Sequence, residues 1–317
     1  MTDIPQDMKN ALTEFDTTAN GIVRSFIEKL ESQDPPEFIY HYTNDVGLKG
    51  ILETGQLWLT DIFSLNDPTE LSHGFSHAVN RLNAKADTGP PESRVFAKNF
   101  SAFHEVGVQG SAHYFVCSLS SDGDDLGQWR AYADNGRGYA IGFDARALER
   151  LFTHRDDLPI PNKSTFPVIY NDAMLAEIHH QMIDSMFDLI SLPRGKDMDR
   201  ASIIAYMTEL SVYLSVHVLR TALFFKHEAY RNESEYRFLE IYKADVPPEV
   251  KRRSRSYDLV KYREFDWKRL QAGMLKRIVV GPAADRTKAK RFATDCMAAC
   301  HLGSVEIGYS QIPYRAA

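Results

Sequence analysis

The sequence predicts a mixed α+β fold: a central split or mixed β-sheet, helices on its flanks and one long helical insert. Three observations carry this expectation. Aromatic and β-branched runs that read as strands occur at residues 38–42, 57–60, 113–119 and 138–143. Comparable runs return late, at residues 236–242, 276–280 and 304–309. Between the two groups, from about 173 to 229, the pattern is mostly helical, and Ile203, Met207, Leu210, Leu214, Val218 and Ala222 line a long apolar face. Strands on both sides of a helical block imply a sheet with an insertion.

Each element follows from a local signal. Residues 6–32 read as a helix, since Met8, Leu12, Phe15, Ile22, Val23, Phe26, Ile27 and Leu30 recur at helical spacing, and Asp34-Pro35-Pro36 stops it. After the strand at 38–42, Asn44 or Asp45 caps a short helix that Gly55 ends. Residues 63–68 form a turn, and Pro68 favours a helix from Thr69. Residues 128–132 form a short helix, Asn135-Gly136 a turn, 167–171 a short strand and 285–301 a helix. The expected organisation is an N-terminal helix at 1–36, then a single α+β domain at 37–317 with the insert at about 173–229.

Composition bounds the function. The 317 residues suffice for a sizeable core, and 44% hydrophobic with 25% charged is ordinary for a globular chain. A net charge of −6 gives no global nucleic-acid footprint. One local basic run, Lys251-Arg252-Arg253-Ser254-Arg255, reads as a solvated loop or as a phosphate-contacting patch. Three cysteines, Cys117, Cys296 and Cys300, do not build a disulfide framework and read as buried thiols. There is no basic-then-apolar leader and no apolar run of membrane-spanning length, so a reducing, cytoplasmic setting without membrane contact is expected. No phosphate-cradling glycine loop is present, although Gly281-Pro282-Ala283-Ala284-Asp285 forms a strand-to-helix turn whose amides offer an anion contact.

Two segments draw attention to chemistry. His41, Tyr42 and Thr43 sit on an apolar strand. Glu233, Glu235 and Arg237 alternate at the start of a late strand, where they share one face. Two carboxylates on one face are either a charged strand edge paired with the arginine or part of a polar site. Asn66-Asp67-Pro68 reads as an Asx-turn and helix cap, and with Glu70 and His73 it offers a metal or acid site. Trp129 and Tyr132, three apart, serve as core packing or as a stacking platform.

Several blocks in fixed order resemble an uncharacterised bacterial family, the domain of unknown function DUF2971. They are Tyr40-His41-Tyr42-Thr43 with the run from Gly47 to Thr60, Leu65-Asn66-Asp67-Pro68-x-Glu70, Cys117-Ser118-Leu119-Ser120, Trp129-x-x-Tyr132-Ala133, Gly138-x-x-Ile141-Gly142-Phe143, the Glu233–Arg237 run and Ser310-x-Ile312-Pro313-Tyr314-Arg315. A second, weaker resemblance is to ADP-ribosyltransferases, in the order His41-Tyr42-Thr43, Ser118-Leu119-Ser120, Glu233-Ser234-Glu235. The chain departs from that pattern at Leu119, where a threonine is usual, and in its long insert before the glutamates.

That second resemblance implies an enzyme that consumes NAD and modifies a macromolecule, protein or nucleic acid, as a bacterial toxin or antiphage effector. It implies that Glu235 stabilises the ribosyl cation and that Glu233 orients the acceptor. It further implies that His41 holds the adenosine ribose, that Ser118 supports the glutamate or nicotinamide ribose, that Tyr42, Trp129 or Tyr132 stacks on nicotinamide, and that Thr43 and Ser120 belong to the same NAD site. No metal is expected on this reading. The alternatives are a nucleotide- or partner-binding module without turnover, and a metal-dependent hydrolase using His41, Asp67 and Glu70.

Overall fold

The computed structural model describes residues 4–31, 34–65, 69–103, 112–154, 162–269, 273–303 and 305–315. Among these, ten strands form one mixed sheet between two layers of helices. The strands are β1 (Phe38–Thr43), β2 (Gln56–Asp61), β3 (Ala112–Ser120), β4 (Tyr139–Asp144), β5 (Asn162–Pro167), β6 (Glu235–Lys243), β7 (Lys251–Arg255), β8 (Asp258–Asp266), β9 (Leu275–Val280) and β10 (Glu306–Tyr309). The order is β10-β9-β4-β1-β3-β2-β8-β7, with β6 on β3 and β5 on β6. Only the β9–β10 pairing is parallel among the described pairs.

The centre of the sheet is split. One edge of β3 pairs with β6 along its whole length, from Ala112↔Lys243 to Ser120↔Glu235. The other edge is shared: β1 meets it at Tyr40↔Ser120, and β2 meets it at Thr60↔Val116 and Asp61↔Phe115. Between those two contacts β1 and β2 diverge, and residues 117–119 border the gap. The divergence is set by α2 (Asp45–Thr54), which joins the two strands. Asn44 caps α2 by accepting from Gly47 N–H, and Gly55 ends it at φ 69, the left-handed region that glycine adopts without penalty.

Alternation along the strands sorts the two cores. Phe115, Cys117, Leu119, Ile39, Ile141 and Phe238 face a core closed by α2, α6 (Ala145–Thr153) and α9 (Arg286–Ala299). Tyr114, Val116 and Leu239 face the opposite core, closed by α1 (Gln6–Glu31), α3 (Thr69–Thr88), α4 (Pro91–Phe103), α7 (Asp172–Met186) and α8 (Arg200–Ala222). In α1 the buried residues Met8, Leu12, Phe15, Ala19, Val23, Phe26 and Leu30 trace one stripe, laid on α7 and α8. Hydrogen bonds from His217 to Asp16 (2.8 Å) and from Arg220 to Asn20 (2.7 Å) fix that contact. The N-terminal helix thus belongs to the same helical layer as the insert.

Three local expectations change. The basic run at 251–255 is not a solvated loop. It is β7, turned onto β8 by Ser256 and Tyr257, both at positive φ (45 and 72), as a two-residue hairpin turn requires. The strand expected at 167–171 lies earlier, at β5, leaving Ile169 in a single bridge to Phe225. α8 is, by length and composition, long and apolar enough to cross a membrane, with a window of mean hydropathy 1.4. Half of that window is buried inside the protein, and polar Ser211, Ser215, His217 and Thr221 are buried with it.

Candidate functional site

Ser118 lies in the middle of a central strand yet is exposed, while Cys117 and Leu119 on either side are buried. An exposed side chain at that position means that the helices leave this part of the sheet uncovered. The helical layer covers the N-terminal half of this face of β3, and α5 (Leu126–Tyr132) stands over β1 and the loop after β3. Ser118 lies between these covers, at the split. It hydrogen-bonds the carboxylate of Glu235 on the neighbouring strand.

Glu235 anchors a buried ionic cluster. Its side chain is 6% exposed, and Arg237 beside it is 3% exposed. Arg237 donates from Nε to Oε1 (2.6 Å) and from Nη2 to Oε2 (3.2 Å), while its Nη1 donates to the Leu223 carbonyl (2.8 Å). Lys226 Nζ sits 3.2 Å from Glu235 and 2.5 Å from Glu233. The backbone N–H of Glu235 donates to the Tyr170 hydroxyl (3.0 Å). Burial pushes the Glu235 carboxyl up, but Arg237, Lys226 and Ser118 outweigh it and hold the pKa at about 2. Glu235 is therefore ionised at neutral pH. Two acids and two bases cancel in charge, which is how four ionisable side chains are tolerated there.

The alternation expected for Glu233, Glu235 and Arg237 holds only in part. β6 begins at Glu235, so Glu235 and Arg237 share a face. Glu233 ends a 3-10 turn (Glu228–Glu233), and Ser234 adopts a left-handed conformation, φ 44 and ψ 45. That kink takes Glu233 off the strand. Lys226 gathers the two carboxylates instead, and Ser120 Oγ pins the Glu233 carbonyl (2.8 Å).

His41 does not touch this cluster. Tyr40, Ser120 and Glu235 form one cross-strand row, so alternation gives His41 the opposite parity. Burial, and after it nearby Arg253, lowers its pKa to about 4, so it is neutral at physiological pH. Arg253 comes from β7 and lies over the Trp58 ring (5.3 Å), which packs on Tyr262 (centroids 4.4 Å apart). Trp58 is 42% exposed. The Arg253 Nε is buried with no hydrogen-bond partner. A buried orphan donor is costly, and a ligand acceptor would satisfy it. Trp58 and Arg253 thus form a second polar and aromatic surface, on strands that flank the split.

The remaining expected residues have structural surroundings. The Tyr42 hydroxyl donates to the Asp122 carbonyl (2.9 Å) and accepts from Asp125 N–H (3.0 Å). Its ring meets Trp129 edge-on at 4.8 Å. Trp129 is fully buried and donates from Nε1 to Asp124 (2.8 Å). Neither Tyr42 nor Trp129 therefore presents a free face for stacking on a ligand. Tyr132, at the end of α5, is 45% exposed. Thr43 is buried under α2, where a Cβ on Gly47 would lie 1.9 Å from its Oγ1. Asn66 and Asp67 lie outside the described residues, and so does the side chain of Glu70. Lys226 and Tyr170 were not singled out from sequence, whereas Arg253 stood within the basic run read as a solvated loop or as a phosphate-contacting patch.

Residues 128–238 match the model of a family described as protein of unknown function (DUF2971). The match supports the DUF2971 family. It covers about a third of the chain, running from α5 through the insert to the start of β6. The DUF2971 segment therefore contains Tyr170, Lys226, Glu233, Glu235 and Arg237, whereas His41, Ser118 and Arg253 lie outside it. No curated protein and no solved structure matches the chain.

Proposed function

We propose that this protein is an NAD-consuming, ADP-ribosyltransferase-like enzyme with Glu235 as its catalytic carboxylate. The observation that carries the reading is the exposed Ser118 hydrogen-bonded to an ionised, buried Glu235 where the sheet splits. In this reaction the bond between the nicotinamide nitrogen and ribose C1′ breaks, and nicotinamide leaves with the electron pair. The ribosyl centre gains oxocarbenium character, as in glycoside cleavage. An acceptor O–H or N–H attacks C1′ and gives up its proton to solvent. A fixed carboxylate accepting from the ribose 2′-hydroxyl stabilises the cationic transition state with little reorganisation.

The geometry adds one requirement. A carboxylate has about four acceptor sites, and two nitrogens of Arg237, Lys226 and Ser118 already supply four donors to Glu235. A ribose hydroxyl must displace one of them. Lys226 is the donor to yield, because it is closer to Glu233 (2.5 Å) than to Glu235 (3.2 Å). Arg253, over the Trp58 ring, supplies a cation for the pyrophosphate, and exposed Trp58 supplies an aromatic surface. The acceptor is a macromolecule, and a role as bacterial toxin or antiphage effector follows from the resemblance alone. Free Cys117, Cys296 and Cys300 fit a reducing, cytoplasmic setting.

The saturated carboxylate favours a second reading, a nucleotide-binding module in which the cluster only ties the insert to the sheet. Both readings require NAD or a related nucleotide to bind at Arg253. Calorimetric titration of NAD tests this requirement. Loss of one charged hydrogen bond, about 1.5–3 kcal/mol, predicts that Arg253→Met weakens binding by at least about tenfold. No NAD binding to the intact protein sinks the first reading, and no binding of NAD, ADP or ATP sinks both. Binding with no nicotinamide release leaves the second.

A further inference from the structure

A second group of ligating side chains lies in the helical layer, apart from Glu235. His73 and His77 are one turn apart on α3, so both face the same neighbour. That neighbour is Asp172, the first residue of α7. His73 Nε2 is 3.0 Å from Asp172 Oδ1, and the three residues offer one ligand atom each within 4.8 Å of one another. The His77 Nε2 is buried and has no hydrogen-bond partner. All three side chains are partly buried.

We propose that His73, His77 and Asp172 bind one divalent transition-metal ion, with zinc the best match. Two imidazoles and one carboxylate are a zinc ligand set, and three protein ligands leave a fourth position for water. The ring spacing agrees. With metal–nitrogen bonds of about 2.0–2.1 Å, two imidazole rings around one tetrahedral ion have centroids about 5.3 Å apart. The His73 and His77 centroids are 5.4 Å apart and the rings are nearly perpendicular, at 85°. The ion also answers the lone His77 nitrogen, which a simple histidine–aspartate pair does not. Further along the same helices, Arg81 and Lys85 both bind Asp184 (2.8 and 2.9 Å), so α3 and α7 are already held in register.

The site has a route to the Glu235 cluster. His227 lies with its ring centroid 5.2 Å from that of His73, next in sequence to Lys226 and at the start of the 3-10 turn that ends in Glu233. Its Nδ1 accepts from the Ala229 N–H (3.1 Å), which keeps it outside the ligand set as it stands. An ion at His73 and His77 would fix the wall against which His227 rests, and so the segment carrying Lys226 and Glu233. This inference does not depend on NAD chemistry.

The test uses the full-length protein, stripped with a chelator and titrated with Co²⁺ and then Zn²⁺. The expected result is one equivalent of Co²⁺ with visible absorption bands of a tetrahedral site, displaced by Zn²⁺, and a saturating rise in Tm with Zn²⁺. His77→Gln should weaken binding by more than the about 10–100-fold that loss of an outer-shell partner costs. Circular dichroism of the metal-free variant controls for folding. Cys300→Ser, in the separate group with Cys296, should leave binding unchanged. Absence of saturable binding overturns the proposal, and so does binding that survives His77→Gln but is lost in Cys300→Ser.

Discussion

Replacing Glu235 with glutamine removes the charge that holds Arg237 and Lys226 in the interior. The side chains of Arg237, Glu235 and Lys226 are 3%, 6% and 7% exposed, so little water is at hand to compensate. Removing one partner of a buried pair costs about 3–5 kcal/mol. Two features put this case at the low end. Lys226 keeps Glu233 at 2.5 Å, and Arg237 keeps the Leu223 carbonyl at 2.8 Å. The expected loss is therefore about 3 kcal/mol. Glu233, with 22% of its side chain exposed, should cost only about 1 kcal/mol as glutamine. Urea unfolding at neutral pH measures both, with the slope unchanged if the fold is intact. The pH dependence gives a second reading. Glu235 has a folded pKa lowered from 4.5 to about 2, so its contribution is present above pH 4.5 and is lost as pH falls through 2. The gap between the parent protein and Glu235→Gln should narrow only below pH 4.5. A loss under about 1 kcal/mol for Glu235→Gln, or equal losses for the two variants, refutes the picture of a buried cluster centred on Glu235.

Further outcomes follow from other parts of the fold. His179 is buried against Thr221 (2.8 Å) with its pKa lowered by burial from 6.5 to about 3, so the unfolded chain takes up a proton that the native one refuses. This group should therefore contribute a fall of about 2 kcal/mol between pH 6.5 and about pH 5, beside a similar one from His41, and His179→Gln should make that slope shallower in urea titrations. Gly47→Ala sets a methyl against Thr43 Oγ1 and should cost about 1–3 kcal/mol, read as a lower urea midpoint. An unchanged midpoint would mean that α2 shifts freely on β1.

How much of this was legible in sequence depends on how local the signals are. α1 and α2 were readable because an apolar stripe, Asn44 and Gly55 lie within a few residues of the structure they specify. The β7–β8 hairpin was not, because Ser256-Tyr257 occupies a turn that Asn-Gly usually announces. The association of Glu235 with Ser118 rests on sequence order, and the register Ser118↔Arg237 and Ser120↔Glu235 sets the two on a diagonal of one sheet face. The kink at Ser234 has no sequence mark, so Glu233 was placed on the strand. Lys226 reaches both acids only through that kink, and Arg253 reaches Trp58 only through the return of β7 and β8. Such contacts are fixed by tertiary geometry and leave no periodicity to read.

The most direct test of the central claim is the rate of nicotinamide release from NAD, measured for the intact protein beside Glu235→Gln at a temperature where circular dichroism shows both folded. The account predicts release by the intact protein and a fall of at least about 100-fold in the variant, the scale on which preorganised electrostatic groups act. Equal rates in the two proteins, or no release by the intact one, would contradict it.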